Sequence, residues 1–283
     1  MGVQSGTVTA IEACSPAKLN LFLHVTGRRP DGYHSLQTVF QLLNWGDDMR
    51  FEARAEPGIT LSGHTDDIAP EQNLILKAAR ALGQPERGAH IHIHKRIPRG
   101  GGLGGGSSNA ATTLLALNRL WGLGLEQDAL LHLATPLGAD VPVFVMGRSA
   151  WAEGVGEMLS ALALPKRWFV IAQPDCNVST AEIFADPALT RHTPPITVQA
   201  FFSGAGQNDL QDVVLPRFPE VQQAWEWLHQ HSPSARMSGS GACIFAALKT
   251  KESARQIAAE APDGLKVIVA EGVDRLPEMR VIN

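Results

Sequence analysis

Cysteine is scarce in this chain of 283 residues: Cys14, Cys176 and Cys243 are the only three, and no two form a C-x-x-C pair. An odd, widely spaced set excludes a disulfide-stapled scaffold and fits a reducing compartment. Basic blocks are missing too. Lys and Arg number 24 against 28 Asp and Glu, for a net charge of −4, so nucleic acid is not expected as a partner. No apolar run approaches the roughly 20 residues that span a bilayer. The opening MGVQSGTVTAIEAC lacks the n- and h-regions of a signal peptide, and Gly6 breaks the myristoylation pattern. The expectation is a soluble, cytoplasmic chain with no membrane partner, and its length points to two domains.

Glycine, by contrast, is in local excess. Six of the seven residues from Gly100 to Gly106 are glycine, the exception being Leu103. Each glycine in regular structure costs about 0.5–1 kcal/mol relative to alanine, a large sum against a net stability of about 5–15 kcal/mol. Such a run points to a need for the backbone itself. Before it, AHIHIHKRIP alternates with period two, as a strand does. After it, Ala110, Leu114, Leu117 and Trp121 fall on one helical face, with Ser107 and Ser108 as candidate caps. Strand, glycine loop and helix start together make an anion site, because the N–H groups turn to one point and the helix end adds partial positive charge.

Elsewhere, PAKLNLFLHV reads as a strand ended by Gly27 and the turn-forming RRPDG, MRFEARA as a strand, and SLQTVFQLLNW as strand or helix. DDIAPEQNLILKAARALG reads as one helix stopped by Gly83. LEQDALLHLATPLG, PEVQQAWEWLHQH and KESARQIAAEA read as helices, and WFVIAQP, GACIFAAL and LKVIVAEG as strands. Helices and strands mix in both halves, so the class is α/β or α+β, and ALALPKR is the expected linker.

Three phosphate loops compete. The Walker pattern fails, since no lysine follows the glycines. The Rossmann pattern is met by Gly100, Gly102 and Gly105 with Glu126 downstream, but the βαβ unit lacks its second strand there. The third type carries a family resemblance. PRGGGLGGGSSNAA closely resembles the P-x-x-x-G-L-G-x-S-S loop of the GHMP kinases, named for galacto-, homoserine, mevalonate and phosphomevalonate kinases. PAKLNLFLHVTGRRPDGYHSLQTVFQ, LGADVPVFV, EIFADPAL and SGSGACIFA match further motifs in family order, from residue 16 to about 246.

That resemblance implies an α+β, two-domain fold. Residues 1–163 would form a ribosomal protein S5 domain 2-like domain, and 164–283 a ferredoxin-like domain completing the cleft. It implies ATP and Mg²⁺ as cofactors, with Pro98, Arg99, Gly100, Gly101, Gly102, Leu103, Gly104, Gly105, Gly106, Ser107 and Ser108 around the phosphates and Asn73 and Lys95 near adenine. The serine hydroxyls are also candidates to hold Mg²⁺ or a phosphate oxygen. Asp140 becomes the candidate base, against the plainer reading of a turn or cap before Pro142. Lys18, odd on an apolar strand unless it snorkels at an edge, becomes its partner. Asn20 shares the strand face of Lys18.

For the acceptor, the resemblance is to the branch that phosphorylates a cytidine-diphosphate sugar alcohol, feeding isoprenoid precursors without mevalonate. Tyr33, the single tyrosine, and Phe184 would sandwich the base, at about 1–3 kcal/mol per stacked base. His34 would read the base edge. Thr180, Gly239, Ser240 and Gly241 complete the substrate-binding set. Homoserine or mevalonate as acceptor, and a Rossmann oxidoreductase, stay open as alternatives. So does a zinc hydrolase built on His90, His92 and His94, which share one strand face. Oligomeric state is open between monomer and homodimer.

Overall fold

The computed structural model describes residues 8–64 and 68–282. Among them the elements run β1 (Ala10–Arg28), β2 (His34–Arg54), β3 (Gly58–Gly63), α1 (Leu74–Ala81), β4 (Gly88–His94), α2 (Gly105–Leu120), α3 (Gln127–Ala134), a 3₁₀ turn (Thr135–Leu137) and α4 (Val141–Met146). They continue with β5 (Ala150–Glu153), β6 (Met158–Ala161), β7 (Trp168–Gln173), α5 (Thr180–Ala185), α6 (Val198–Phe202), α7 (Gln211–Val214), α8 (Pro219–His231), β8 (Arg236–Met237), β9 (Ile244–Leu248), α9 (Lys251–Ala259), β10 (Lys266–Val273) and β11 (Arg280–Ile282).

The ambiguous SLQTVFQLLNW is strand, part of β2, and Thr38 to Leu43 are buried without a break. A strand covered on both faces loses the apolar–polar alternation by which sequence reading finds strands. β2 is the hub: it pairs antiparallel with β1, β4, β5 and β10 along its 21 residues. From β10 the sheet continues through β7 and β9 to β8, while β11 returns to pair with β1. β3 runs parallel to β4 at the sheet's outer side.

One apolar core lies between β1, β2, β4 and the helices α1 to α4, with Phe51, Ile91, Leu114, Leu117 and Phe144 fully or almost fully buried. Ala110, Leu114, Leu117 and Trp121 face it as their spacing implies. A second core joins β7 and β9 to α5, α7, α8 and α9 around Val170, Val214, Leu228 and Ile244.

Two expectations need correction here. The helix read over residues 66–83 begins only at Leu74; Asp66 and Asp67 lie outside the described residues. Asn73 is extended (ψ 116°), and its side chain accepts the Ile75 N–H at 2.9 Å, so it caps the helix and ends it upstream. Among the described residues the Rossmann unit is absent: α2 leads into α3 and α4, and no strand after α2 runs parallel to β4. Glu126 sits exposed at the start of α3.

Candidate active site

β1 carries Pro16, which has no N–H for the ladder, and its register against β2 shifts between Pro16 and Lys18. The shift frees the Lys18 N–H, which donates instead to the Leu103 carbonyl at 3.0 Å. Strand and glycine loop are thereby tied at the residue whose side chain matters most. The Lys18 ammonium is buried and donates to Asn20 Oδ1 at 2.5 Å and to the Gly102 carbonyl at 3.0 Å, and it pairs with Asp140 Oδ2 at 3.2 Å. An ammonium has three donors, and all three are engaged.

Asp140 stands at the head of α4 but makes no capping hydrogen bond. The plainer reading of it as a cap is set aside. Its carboxylate, about one-third exposed, faces the cleft beside Lys18. Asn20 is held in turn by donating to Thr38 Oγ1 at 3.0 Å.

The glycine run explains itself through backbone signs. Gly100, Gly102 and Gly104 have φ of 64°, 70° and 72°, alternating with residues that do not. Alternating left- and right-handed residues turn successive N–H groups into one concavity, a nest for an anion. Gly102 is also pressed against its neighbours: a Cβ there would lie 2.0 Å from the Ser238 carbonyl oxygen. Gly104, rather than either serine, is the N-cap of α2. The expectation that Ser107 and Ser108 cap that helix is therefore corrected. Both lie inside its first turn; Ser107 lines the cleft, while Ser108 is buried and accepts from Ser15 Oγ at 2.8 Å.

Behind the loop lies a buried polar hub absent from the sequence reading. The fully buried Asp47 accepts from the N–H groups of Arg96 and Ile97 at 2.7 and 2.8 Å, from Asn109 Nδ2 at 2.9 Å and from Lys95 Nζ at 2.5 Å. Lys95 thus braces the loop, donating also to Asn109, while still lining the cleft with Asn73. A second glycine loop closes the other wall. Ala242 and Cys243 donate their N–H groups to the Gly100 and Gly101 carbonyls at 2.8 and 3.2 Å, and Ser238 Oγ donates to the Gly102 carbonyl at 3.0 Å. Thr180 and Ser240 join hydroxyls at 2.7 Å. Burial against Gly101 pushes the Cys243 thiol up to about 12, so it is inert.

These elements enclose a cleft of about 580 Å³. It is lined by Lys18, Asn20, Asn73, Lys95, Asp140, Thr180, Phe184, Ser107, the run Pro98, Arg99 and Gly100 to Gly106, and Gly239, Ser240 and Gly241. Tyr33 and His34 are not part of that lining. Tyr33 is 66% exposed at the β1–β2 hairpin tip. His34 instead lies beside Phe184, ring centroids 5.2 Å apart.

Two of the three histidines of β4 have hydroxyl partners, His90 bonding Thr60 and Ser62 and His92 bonding Ser62, while His94 lies against the His64 ring, centroids 5.0 Å apart. Among the described residues no group of three His, Cys, Asp or Glu is placed to hold a metal. Nor is any helix among them long and apolar enough to cross a membrane.

A nest opening a sixteen-residue helix, a lysine–carboxylate pair beside it and a second glycine loop opposite define a phosphoryl-transfer cleft. Comparison with known proteins agrees. The family described as GHMP kinases N terminal domain matches residues 73–148, and GHMP kinases C terminal matches 197–266. A 4-diphosphocytidyl-2-C-methyl-D-erythritol kinase of Marinobacter nauticus is 51% identical over 278 residues, 95% of this chain and 96% of that protein. One from Bordetella parapertussis is 54% identical over 250 residues, 86% of this chain and 84% of that protein. A crystal structure of 4-(cytidine 5'-diphospho)-2C-methyl-D-erythritol kinase has TM-score 0.80 at 35% identity, covering 92% and 98% of the two chains. A homoserine kinase structure from Cytophaga hutchinsonii, at TM-score 0.67 and 19% identity over 100% and 99%, shares the fold. The chain belongs to the GHMP kinases. Kinases of this family use ATP as phosphate donor, usually with Mg²⁺.

Proposed function

We propose that this chain is an ATP-dependent kinase phosphorylating a hydroxyl of 4-diphosphocytidyl-2-C-methyl-D-erythritol, in the non-mevalonate route to isoprenoid precursors. The half-identical relatives that carry this activity in their names, matched over nearly the whole chain, are the observation that carries it. Likeness to homoserine and mevalonate kinase structures at 19% and 15% identity speaks for the fold alone.

Within that reading the chain's residues divide the task. The nest at Gly100–Gly104 and the start of α2 suit the ATP phosphates, with preformed N–H donors standing in for the missing Walker lysine. Mg²⁺ would neutralise phosphate charge when bound, and Ser107 and Asp140 are among the cleft oxygens that would hold it or its waters. Asp140 takes the proton of the acceptor hydroxyl as that oxygen bonds to the γ-phosphorus of ATP, whose bond to the β–γ bridging oxygen breaks so that ADP leaves. Lys18, 3.2 Å from that carboxylate, adds positive charge where the transition state is most anionic. Asn20 and the Gly102 carbonyl hold the ammonium in place. The two walls of the cleft come from before and after residue 163, the domain division carried forward here as part of the proposal. A cytoplasmic location belongs to it as well.

The test is ADP release with Mg-ATP and, in turn, the cytidyl acceptor, homoserine and mevalonate. Turnover of the cytidyl compound alone is expected; turnover of only another acceptor would reject the substrate and keep the kinase.

A further inference from the structure

Two residues of β1 fall out of its ladder with β2. Asn20 stands opposite Phe40 and Leu23 opposite Thr38, so Leu21 and Phe22 together face Val39. Such a bulge takes backbone groups out of the ladder, and buried ones need other partners. The Leu21 carbonyl accepts from Arg236 Nη1 at 2.7 Å, and the Leu23 N–H donates to the Gln207 carbonyl at 2.8 Å. The Phe22 carbonyl accepts from Thr38 Oγ1.

That last bond decides an orientation. A carbonyl has no hydrogen to give and a hydroxyl has one, so the Thr38 hydrogen lies toward Phe22 and Oγ1 can only accept from Asn20. The Asn20 atom 3.0 Å from Oγ1 is therefore the amide nitrogen, which leaves Oδ1 to receive Lys18 Nζ at 2.5 Å. The reverse orientation fails twice. It sets two carbonyl oxygens on one hydroxyl hydrogen, and it sets the amide nitrogen against the ammonium. The Asn20 backbone is pinned by the same logic. Ser238 Oγ gives its hydrogen to the Gly102 carbonyl at 3.0 Å and accepts the Asn20 N–H at 3.2 Å. Lys18 Nζ donates to that same Gly102 carbonyl. Asn20, Thr38 and Ser238 are all buried, where a mismatched donor is most costly.

We propose that Thr38 is a positioning residue of the transfer site: acting through the amide of Asn20, it fixes the oxygen that holds the Lys18 ammonium between Asp140 and the glycine loop. This rests on the reading of Lys18 and Asp140 given above. Thr38 lines the cleft, but its one hydrogen is already committed to Phe22. Without the hydroxyl, the Asn20 amide loses the partner that holds its nitrogen. The ammonium then keeps one fixed carbonyl oxygen, that of Gly102, instead of two. Charge that must be reoriented during transfer stabilises the transition state less than charge held in advance, so the loss falls on kcat.

Two measurements test this on the full-length protein. The first is neutron crystallography of the wild type in heavy water. The expected map has the Asn20 ND₂ group toward Thr38, its oxygen toward Lys18, and the Thr38 deuteron toward Phe22. The opposite amide orientation overturns the proposal without any variant having to fold. The second is steady-state ADP release with Mg-ATP and the cytidyl acceptor. Thr38→Val keeps the shape and removes the hydroxyl; kcat should fall about tenfold, the size of one hydrogen bond. KM for both substrates should stay within about threefold. Thr38→Ser keeps the hydroxyl and should recover most of the rate. In an Asn20→Ala background, Thr38→Val should change kcat by less than about twofold further, because the group it positions is gone. A purely structural role, or direct contact with the acceptor, would cost the same factor in both backgrounds. Additive losses, or Thr38→Ser no better than Thr38→Val, overturn the proposal. A wild type that turns over no acceptor sinks the functional reading instead, and the neutron map still decides how the amide is held.

Discussion

The phosphate end and the base end of the cleft are built in opposite ways. At the phosphate end the Lys18 ammonium has its donors engaged, Asp47 accepts four hydrogen bonds, and the two glycine loops are laced backbone to backbone. At the base end one guanidinium holds a histidine and a loop, and the tyrosine stands out in solvent on a hairpin tip. Where charge develops during transfer, donors are fixed in advance and need no reorganisation. At the other end, Tyr33 and Arg191 sit on connecting segments, between β1 and β2 and between α5 and α6.

The largest expected effect is at the centre of the rigid end. Asp140→Asn removes the proton acceptor with little change in shape, and kcat should fall by roughly 10²–10⁴ while KM for ATP barely moves. Steady-state ADP release measures this; a variant within about tenfold of wild type would make Asp140 a positioning group. Asp47→Ala should act on stability instead. It strands Lys95 and two backbone N–H groups behind the loop, and losing one partner of a buried pair costs about 3–5 kcal/mol. Urea denaturation tests that figure, and a loss under about 1 kcal/mol would show the hub to be dispensable.

The glycines sharpen the contrast within the rigid end itself. At Gly102 an added Cβ meets the Ser238 carbonyl at 2.0 Å on a left-handed backbone, so Gly102→Ala should destabilise the pairing of the two loops. Gly106 is different: it is exposed and helical, and its Cβ would touch only Leu74 Cδ1 at 3.5 Å. Gly106→Ala should be neutral or gain up to about 1 kcal/mol from helix propensity. Thermal melts of the two variants side by side should therefore diverge; equal losses would mean that the whole run, and not the alternating positions, is constrained.

How much of this was legible in the sequence follows the same division. The glycine run, Lys18 and Asp140 could be read because each is locally odd: a costly backbone, a lysine in an apolar strand, an acid before Val-Pro. The nest itself follows from φ signs that only glycine supplies readily. Asp47 and Arg191 were missed because their meaning lies in partners 48 and 157 residues away, Lys95 and His34, and a single acid or arginine carries no spacing signal. The start of α1 was misread because acidic residues upstream of Asn73 imitate a first helical turn, while the cap that ends it is a matter of backbone geometry. Ser107 and Ser108 were misassigned for the reverse reason: serine is a good cap, but the nest carries the helix start back to Gly104.

At the flexible end the expected effects are smaller. Tyr33→Ala removes a side chain that is 66% exposed, so stability should stay within about 0.5 kcal/mol. Should Tyr33 close over the base in the complex, KM for the cytidyl acceptor rises by the loss of about 1–3 kcal/mol of stacking. An unchanged KM would leave Phe184 and His34 as the whole of the base site.

The smallest effect is a slope in pH. His24 is buried on β1, its Nε2 accepting the Gln207 N–H at 3.3 Å and its Nδ1 without a partner. Burial holds its pKa below the ordinary histidine value, against the pull of Asp209. The unfolded chain therefore binds the proton first as pH falls below about 6.5. Stability is full above that value and declines toward the lowered folded one, with a slope no steeper than about 1.4 kcal/mol per pH unit for one group. His34 adds the same sign more weakly, being partly solvated. Urea midpoints between pH 5 and 7.5 should thus rise with pH, and His24→Gln should flatten the rise while leaving kcat at pH 7.5 unchanged. A slope indifferent to His24→Gln would place the acid sensitivity in groups other than His24, His34 and Asp31 among them.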